Sequence, residues 1–202
     1  MINWMLDKVG WFEGKDYYHF HFSPGKASGV LTHGGSVANL TALAAARAAI
    51  APEAWTEGNP SDLVVIGASS AHYSIARALS VLGLGKKAFY PVAVDKNEVL
   101  QMDNLNTVYQ KALADGKRVM CVVANACATS TGLFDPIDAM GDFCMEHKLW
   151  FHVDGAHGAA ALAGPKSRHY LKGIEKASSL IWDAHKMMRV PALCTAILFK
   201  DF

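Results

Sequence analysis

Residues 63–94 read LVVIGASSAHYSIARALSVLGLGKKAFYPVAV, and the fold turns on how they are parsed. LVVIGA (63–68) is apolar without alternation, HYSIARALSVLGLG (72–85) spaces its apolar residues as a helix does and stops on glycines, and AFYPVAV (88–94) returns to strand character. A strand apolar on both faces needs cover on both faces, as in a parallel sheet whose strands are joined by helices. The alternation continues. Asn104 to Ala114 is helical, RVMCVVANA (118–126) is an apolar strand, and PIDAMGDFCMEHK (136–148) is a helix with Pro136 in its first turn. LWFHVD (149–154), SSLIWD (178–183) and CTAILF (194–199) complete the set of strands. The predicted fold class is α/β, a mostly parallel sheet with helices on both faces.

Upstream, Ile2, Met5, Leu6 and Val9 predict an amphipathic helix over 1–12, and the polar, aromatic and glycine-rich residues 13–29 predict a loop. Residues 1–29 are thus an entry helix and loop, and residues 30–202 one large domain. In that domain GVLTHGG leads to a helix, VANLTALAAARAAIA, with Ser36 as its expected cap and Pro52 closing it.

With 202 residues, 51% of them hydrophobic, the chain can bury a sizeable core, and a net charge of +1 offers no surface for a polyanion. No nucleic-acid partner is expected. Four cysteines without a CxxC pair read as reduced thiols in a cytoplasmic protein, and no segment is long and apolar enough to predict a membrane span.

Ligands of open α/β sheets sit beyond the carboxyl ends of the strands. Ser69, Ser70 and His72 fall there, as do Cys127 to Thr131, Asp154 to His157, and Asp183 to Lys186. HGGSVAN (33–39) brings glycines and a helix N-terminus suited to a phosphate, although a glycine turn before a helix is more often capping alone. Asp154, ending a strand before Gly155 and Ala156, is either a turn aspartate or a carboxylate paired with a cationic ring nitrogen, the small residues leaving room for a flat ring. Lys186 follows the apolar SSLIWDA; the ordinary reading is a surface lysine, the functional one a desolvated, imine-forming nucleophile. A phosphate cradle, a strand-end carboxylate, a histidine able to stack and that lysine are together accounted for by pyridoxal 5′-phosphate.

GVLTHGGSVANLTALAAAR, SSAHYSIARALSVLGLG, FDPIDAM, LWFHVDGAHG and GIEKASSLIWDAHKMM also carry a resemblance, in order and spacing, over about residues 1–202. The chain resembles the large domain, of fold type I, of the group II pyridoxal-phosphate-dependent amino-acid decarboxylases, which act on glutamate, cysteine sulfinate, aromatic amino acids and diaminobutyrate. HYSI before GLG, and HKMM before CTAIL, are most similar to the glutamate and cysteine sulfinate branch. The resemblance implies decarboxylation of an L-amino acid, an acidic or diamino one favoured, with release of carbon dioxide. It implies that Lys186 holds the cofactor as an imine beside His185, which helps hold the phosphate with Gly35 and Ser36. It further implies that Asp154 pairs with the ring nitrogen, His72 stacks on the ring, and Thr129 and Ala156 flank it. Lys186, His72 and Asp154 are the implied catalytic residues, a homodimer the implied assembly, and no metal is implied. The family usually carries alanine at Gly155, an aromatic residue at His157, proline at Ala184, and glycine and threonine at Cys127 and Ala128. It also continues past Phe202 and begins before Met1, so the chain is expected to be a fragment.

Three other readings compete. A related aminotransferase or lyase would share the cofactor-binding parts. A decarboxylase-like interaction protein without catalysis would explain a shortened chain. His152, Asp154 and His157 form an HxDxxH spacing that a metallohydrolase could use, supplemented by Asp183 and His185. Cys127 and Cys194 read as structural thiols, and His33, His147 and His169 as surface or loop histidines.

Overall fold

The computed structural model of the chain describes residues 1–12, 14 and 25–201. Its helices and strands run α1 (Ile2–Val9), β1 (Ser28–Thr32), α2 (Gly35–Ile50), β2 (Leu63–Ala68), α3 (Ser74–Val81), β3 (Phe89–Val92), α4 (Met102–Ala114), β4 (Arg118–Asn125), α5 (Ile137–Glu146), β5 (Trp150–Asp154), β6 (Ser179–Asp183) and β7 (Thr195–Phe199). They form one sheet in the order β1-β7-β6-β5-β4-β2-β3, in which β7 alone runs against the others.

The unalternating apolar strands are explained by two covered faces. Val64 and Ile66 join a core with Met5 of α1, Leu105 of α4 and Met140 of α5, while Leu63 and Val65 pack with Leu43 of α2 and Ile75 and Leu79 of α3. Each such side chain, fully buried, contributes about 1.5–3 kcal/mol. The α/β expectation therefore holds for the sheet and for its helical cover.

Several boundaries differ from the reading of the sequence. The loop expected over 13–29 lies largely outside the described residues, but its last two residues open β1, pairing Ser28 with Phe199 and Gly29 with Leu198. Gly29 serves packing: a β-carbon there would stand 2.6 Å from the Ile197 carbonyl oxygen. Ser36 does not cap α2. Gly34 takes the cap position at φ 99°, a conformation that favours glycine, and Ser36 lies inside the first turn. Pro136 sits at the cap of α5, one place before its first turn. The helix read over 72–85 begins only at Ser74, which leaves His72 on the loop, and ends at Val81 ahead of Gly83 and Gly85, both at φ 78°.

The topology brings six chain segments to one edge. Parallel strands β2, β4, β5 and β6 end there at Ala68, Asn125, Asp154 and Asp183; reversed β7 starts there, with Thr195 opposite Asp183; and β1 ends there, with Thr32 opposite Thr195. The turn into α2 follows from that same point.

Candidate active site

At this edge lies a cavity of about 280 Å³, and its wall includes Gly35, Ser36, His72, Thr129, Asp154, Ala156, His185 and Lys186. Every residue expected to hold the cofactor therefore meets the same space, whereas Ser69, Ser70 and His152 are not on its wall. His33, Asn39, Asn125, Cys127, His157, Asp183 and Leu193 also line it.

One end is a helix start. The first bonds of α2 run from the Val37 and Ala38 N–H groups to the Gly34 carbonyl, so the ladder leaves over the N–H groups of Gly35 and Ser36. The dipole of a 16-residue helix adds its positive end. A β-carbon on Gly35 would lie 3.3 Å from both Asp183 carboxylate oxygens, so glycine here keeps backbone and cavity close together.

Asp154 stands beside it at the end of β5, buried, with both oxygens already directed. Oδ1 accepts from the Ala156 N–H at 3.2 Å and Oδ2 from the Asn39 side-chain amide at 2.9 Å. Asn39 in turn donates to Ser74 Oγ at 2.9 Å, and Ser74 Oγ lies 2.7 Å from His72 Nδ1. Ala156 reaches the cavity, but Gly155 gives no room there. A β-carbon on Gly155 would meet Leu180 Cδ1 at 2.7 Å and the Ile181 carbonyl oxygen at 2.8 Å, so the missing side chain lets the turn pack against β6.

Lys186 follows the ordinary reading of its position, a surface lysine, more than the desolvated one. Ile181, Trp182, Asp183 and Ala184 are buried, yet the chain turns outward after Asp183, with the Lys186 N–H pointing to the Asp183 carbonyl at 3.3 Å. The lysine side chain is 40% exposed at the cavity mouth, 2.9 Å from Asp183 Oδ2. The desolvated partner is the aspartate. Its carboxylate is 2% exposed and accepts from Thr195 Oγ1 at 2.6 Å as well as from Lys186. Asp183, which its place at a strand end does not by itself tie to the lysine's chemistry, is marked by its position three residues before Lys186 across a turn. His185 is held through Nδ1 by the Cys194 backbone, 3.2 Å from its N–H, which leaves Nε2 toward the site.

His152 behaves differently from the metal-ligand reading. It is fully buried, with Nδ1 at 2.8 Å from Ser179 Oγ and Nε2 at 2.8 Å from Asn39 Oδ1, so neither nitrogen is open to a metal. Among the described residues no three or more His, Cys, Asp or Glu side chains are placed to hold a metal ion. Burial pushes the Cys127 thiol up, which keeps it from acting as a thiolate at neutral pH. His33, assigned nothing from sequence, stands on the cavity rim because it follows β1 directly.

Burial also lowers His152, from 6.5 to about 4. Unfolded chains take up this proton while the folded protein still refuses it. Stability from this group is therefore intact above about pH 6.5 and is lost as pH falls toward 4, by on the order of 3 kcal/mol in total. Urea midpoints measured between pH 7.5 and 4.5 should show this fall, and His152→Gln should flatten it. An equally steep fall in the variant would assign the acid sensitivity to other groups.

A family model described as "Pyridoxal-dependent decarboxylase conserved domain" matches residues 1–202. The acidic amino acid decarboxylase GADL1 of Xenopus tropicalis is 34% identical over 199 residues, 98% of this chain and 36% of that protein. The crystal structure of mouse CSAD in apo form superposes with a TM-score of 0.90 at 32% identity, over 99% of this chain and 40% of that one. The glutamate decarboxylase domain of diaminobutyrate-pyruvate transaminase and L-2,4-diaminobutyrate decarboxylase from Vibrio parahaemolyticus superposes with a TM-score of 0.89 at 30% identity, over 99% of this chain and 42% of that one. The chain thus spans about a third of the length of the curated relative and about two fifths of each of those structures.

Proposed function

This chain belongs to the pyridoxal-dependent decarboxylase family, and from that premise we propose that it binds pyridoxal 5′-phosphate and decarboxylates an L-amino acid, an acidic one preferred. One observation carries the reading: a lysine, a pre-oriented carboxylate and the open start of a helix face a single cavity. That donor set fits the cofactor's three chemical handles, an aldehyde, a basic ring nitrogen and a phosphate.

The N–H groups of Gly35 and Ser36, the Ser36 hydroxyl and His185 would take the phosphate. Asp154 would face the ring nitrogen, keeping it protonated by its negative charge. His72 and Ala156 would lie against the ring, with Thr129 at its rim, and Lys186 Nζ would hold the group covalently. When bound, pyridoxal phosphate supplies a ring that accepts the electron pair left as carbon dioxide departs. Lys186, displaced by the substrate's amine, would be kept at the cavity by Asp183 and serve as a proton carrier for the substrate's α-carbon.

We assign residues 30–202 to the cofactor-binding domain and residues 1–29 to its entry segment; Met5, Leu6 and Val9 of α1 share the core of the sheet, which supports treating the two as one body. Four unpaired cysteines support a cytoplasmic protein. A second copy of the chain is the partner we assign to it, with the cavity near their interface. An acidic side chain is preferred on the strength of the GADL1 relative, with a diamino acid second on that of the Vibrio domain.

The test is carbon dioxide release from glutamate, aspartate, cysteine sulfinate, 2,4-diaminobutyrate and tryptophan, with pyridoxal 5′-phosphate added. Release from acidic substrates should exceed that from tryptophan by at least about tenfold. Cofactor binding without release from any of them would overturn the reaction, and a preference for tryptophan would overturn the substrate class.

A further inference from the structure

A line of hydrogen bonds runs behind the cavity, and its direction is set by chemistry. Trp150 Nε1 donates to Ser179 Oγ at 2.9 Å, and that hydroxyl lies 2.8 Å from His152 Nδ1. His152 Nε2 meets Asn39 Oδ1, which can only accept, at 2.8 Å, so the ring's one proton sits on Nε2 and the Ser179 hydroxyl donates to Nδ1. Burial keeps that imidazole neutral. The opposite orientation of the Asn39 amide would set its oxygen 2.9 Å from an Asp154 carboxylate oxygen and is excluded by repulsion. Both Asn39 N–H bonds are thereby assigned, one to Asp154 Oδ2 and one to Ser74 Oγ, each at 2.9 Å. Ser74, accepting from Asn39, has its own proton left for His72 Nδ1 at 2.7 Å, and its backbone N–H points to the same nitrogen at 3.3 Å. Asn39 and Ser74 are 1% exposed and His152 is fully buried, so bulk water cannot substitute for a missing link.

We propose that Asn39 is a positioning residue that acts on two cavity groups at once, aiming the Asp154 carboxylate directly and, by orienting the Ser74 hydroxyl, helping the Ser74 backbone N–H to hold the His72 proton on Nε2. Resting on the cofactor reading above, this means that the ring nitrogen's partner and the ring's stacking face share one side-chain amide. The role is separate from packing because it concerns polarity: an aspartate at position 39 keeps the shape and reverses the line. Its oxygen, whether or not it shares a proton with Asp154, accepts from Ser74, so the Ser74 hydroxyl stops donating to His72 Nδ1 and offers it an acceptor, against which stands the longer contact of the Ser74 backbone N–H at 3.3 Å.

The experiment is long-range proton–nitrogen NMR of the full chain with ¹⁵N-labelled histidine and no cofactor. In the unaltered chain the His72 Nδ1 resonance should carry the shift of an unprotonated nitrogen and Nε2 that of a protonated one; in Asn39→Asp the Nδ1 resonance should move toward that of a protonated nitrogen and the Nε2 resonance away from it. A protonated Nδ1 in the unaltered chain, or the same tautomer in both proteins, overturns the proposal. Where Asn39→Asp does not fold, Ser74→Ala decides: mixed His72 tautomers are expected, and a single Nε2–H form overturns it. Because no pyridoxal phosphate is present, these outcomes stand apart from the cofactor reading, which fails separately if the unaltered chain does not bind that compound.

Discussion

Lys186→Ala should abolish the visible absorption band that forms when pyridoxal 5′-phosphate is added to the unaltered chain, and with it the covalent attachment that borohydride makes permanent as it bleaches that band. Carbon dioxide release should fall by at least about 10²–10⁴-fold, the range that proton transfer alone commands. Lys186 is the one lysine on the cavity wall among the described residues, so no second amine is at hand to replace it. Loss of stability is a competing explanation that the structure keeps small. The side chain is 40% exposed, and it pairs with Asp183, which retains the Thr195 hydroxyl when the lysine is gone. A cost of about 1 kcal/mol follows from removing a partly solvated partner of this kind. Lys186→Arg separates the two effects. Arginine keeps a positive charge against Asp183 and should restore the urea midpoint, but its guanidinium is never deprotonated in a protein and cannot replace the amine. Cofactor fixed covalently by borohydride in Lys186→Ala would move the covalent role to another residue.

The residue types around this lysine show what can be read from a chain and what cannot. Strands such as LVVIGA announced their two covered faces because burial on both sides removes alternation, and the positions after them marked the ligand edge because parallel strands all end on one side. His72, Asp154 and Lys186 were legible from that rule before any contact was known. Ser28 and Gly29 were read as loop because a glycine beside polar residues resembles a turn; only the approach of β7 to within 2.6 Å of a would-be β-carbon shows why a strand needs it. The apolar flanks of Lys186 leave a surface lysine and a desolvated one both open, because burial follows the direction of the chain, and the turn after Asp183 carries the lysine outward. Asn39 carried no signal at all. Its meaning depends on His152, 113 residues away, and on Asp154, 115 residues away, and a long-range pairing of side chains leaves no periodicity in the sequence.

Asp154→Asn should leave pyridoxal 5′-phosphate able to bind through its phosphate, yet lower carbon dioxide release by about 10²–10³-fold, as expected where one preorganised electrostatic contact to a developing charge is lost. It should also cost about 1–3 kcal/mol of stability, for a reason visible in the hydrogen bonds. Both oxygens of Asp154 accept, one from the Ala156 N–H and one from the Asn39 amide, so an asparagine must turn its NH₂ group against one of these donors. The two losses are separable. Combining Asp154→Asn with Asn39→Asp exchanges donor for acceptor: the carboxylate at 39 accepts from the amide at 154, from His152 Nε2–H and from the Ser74 hydroxyl. The double variant should regain most of the stability while its carbon dioxide release stays low, because the negative charge has moved back from the cavity into the line behind it. Recovery of the rate together with stability would mean that charge anywhere in this network suffices, and that the position of Asp154 at the end of β5 is not what the reaction requires. A single Asp154→Asn variant within twofold of the unaltered rate would remove the carboxylate from the chemistry altogether and leave it a structural acceptor for Asn39 and Ala156.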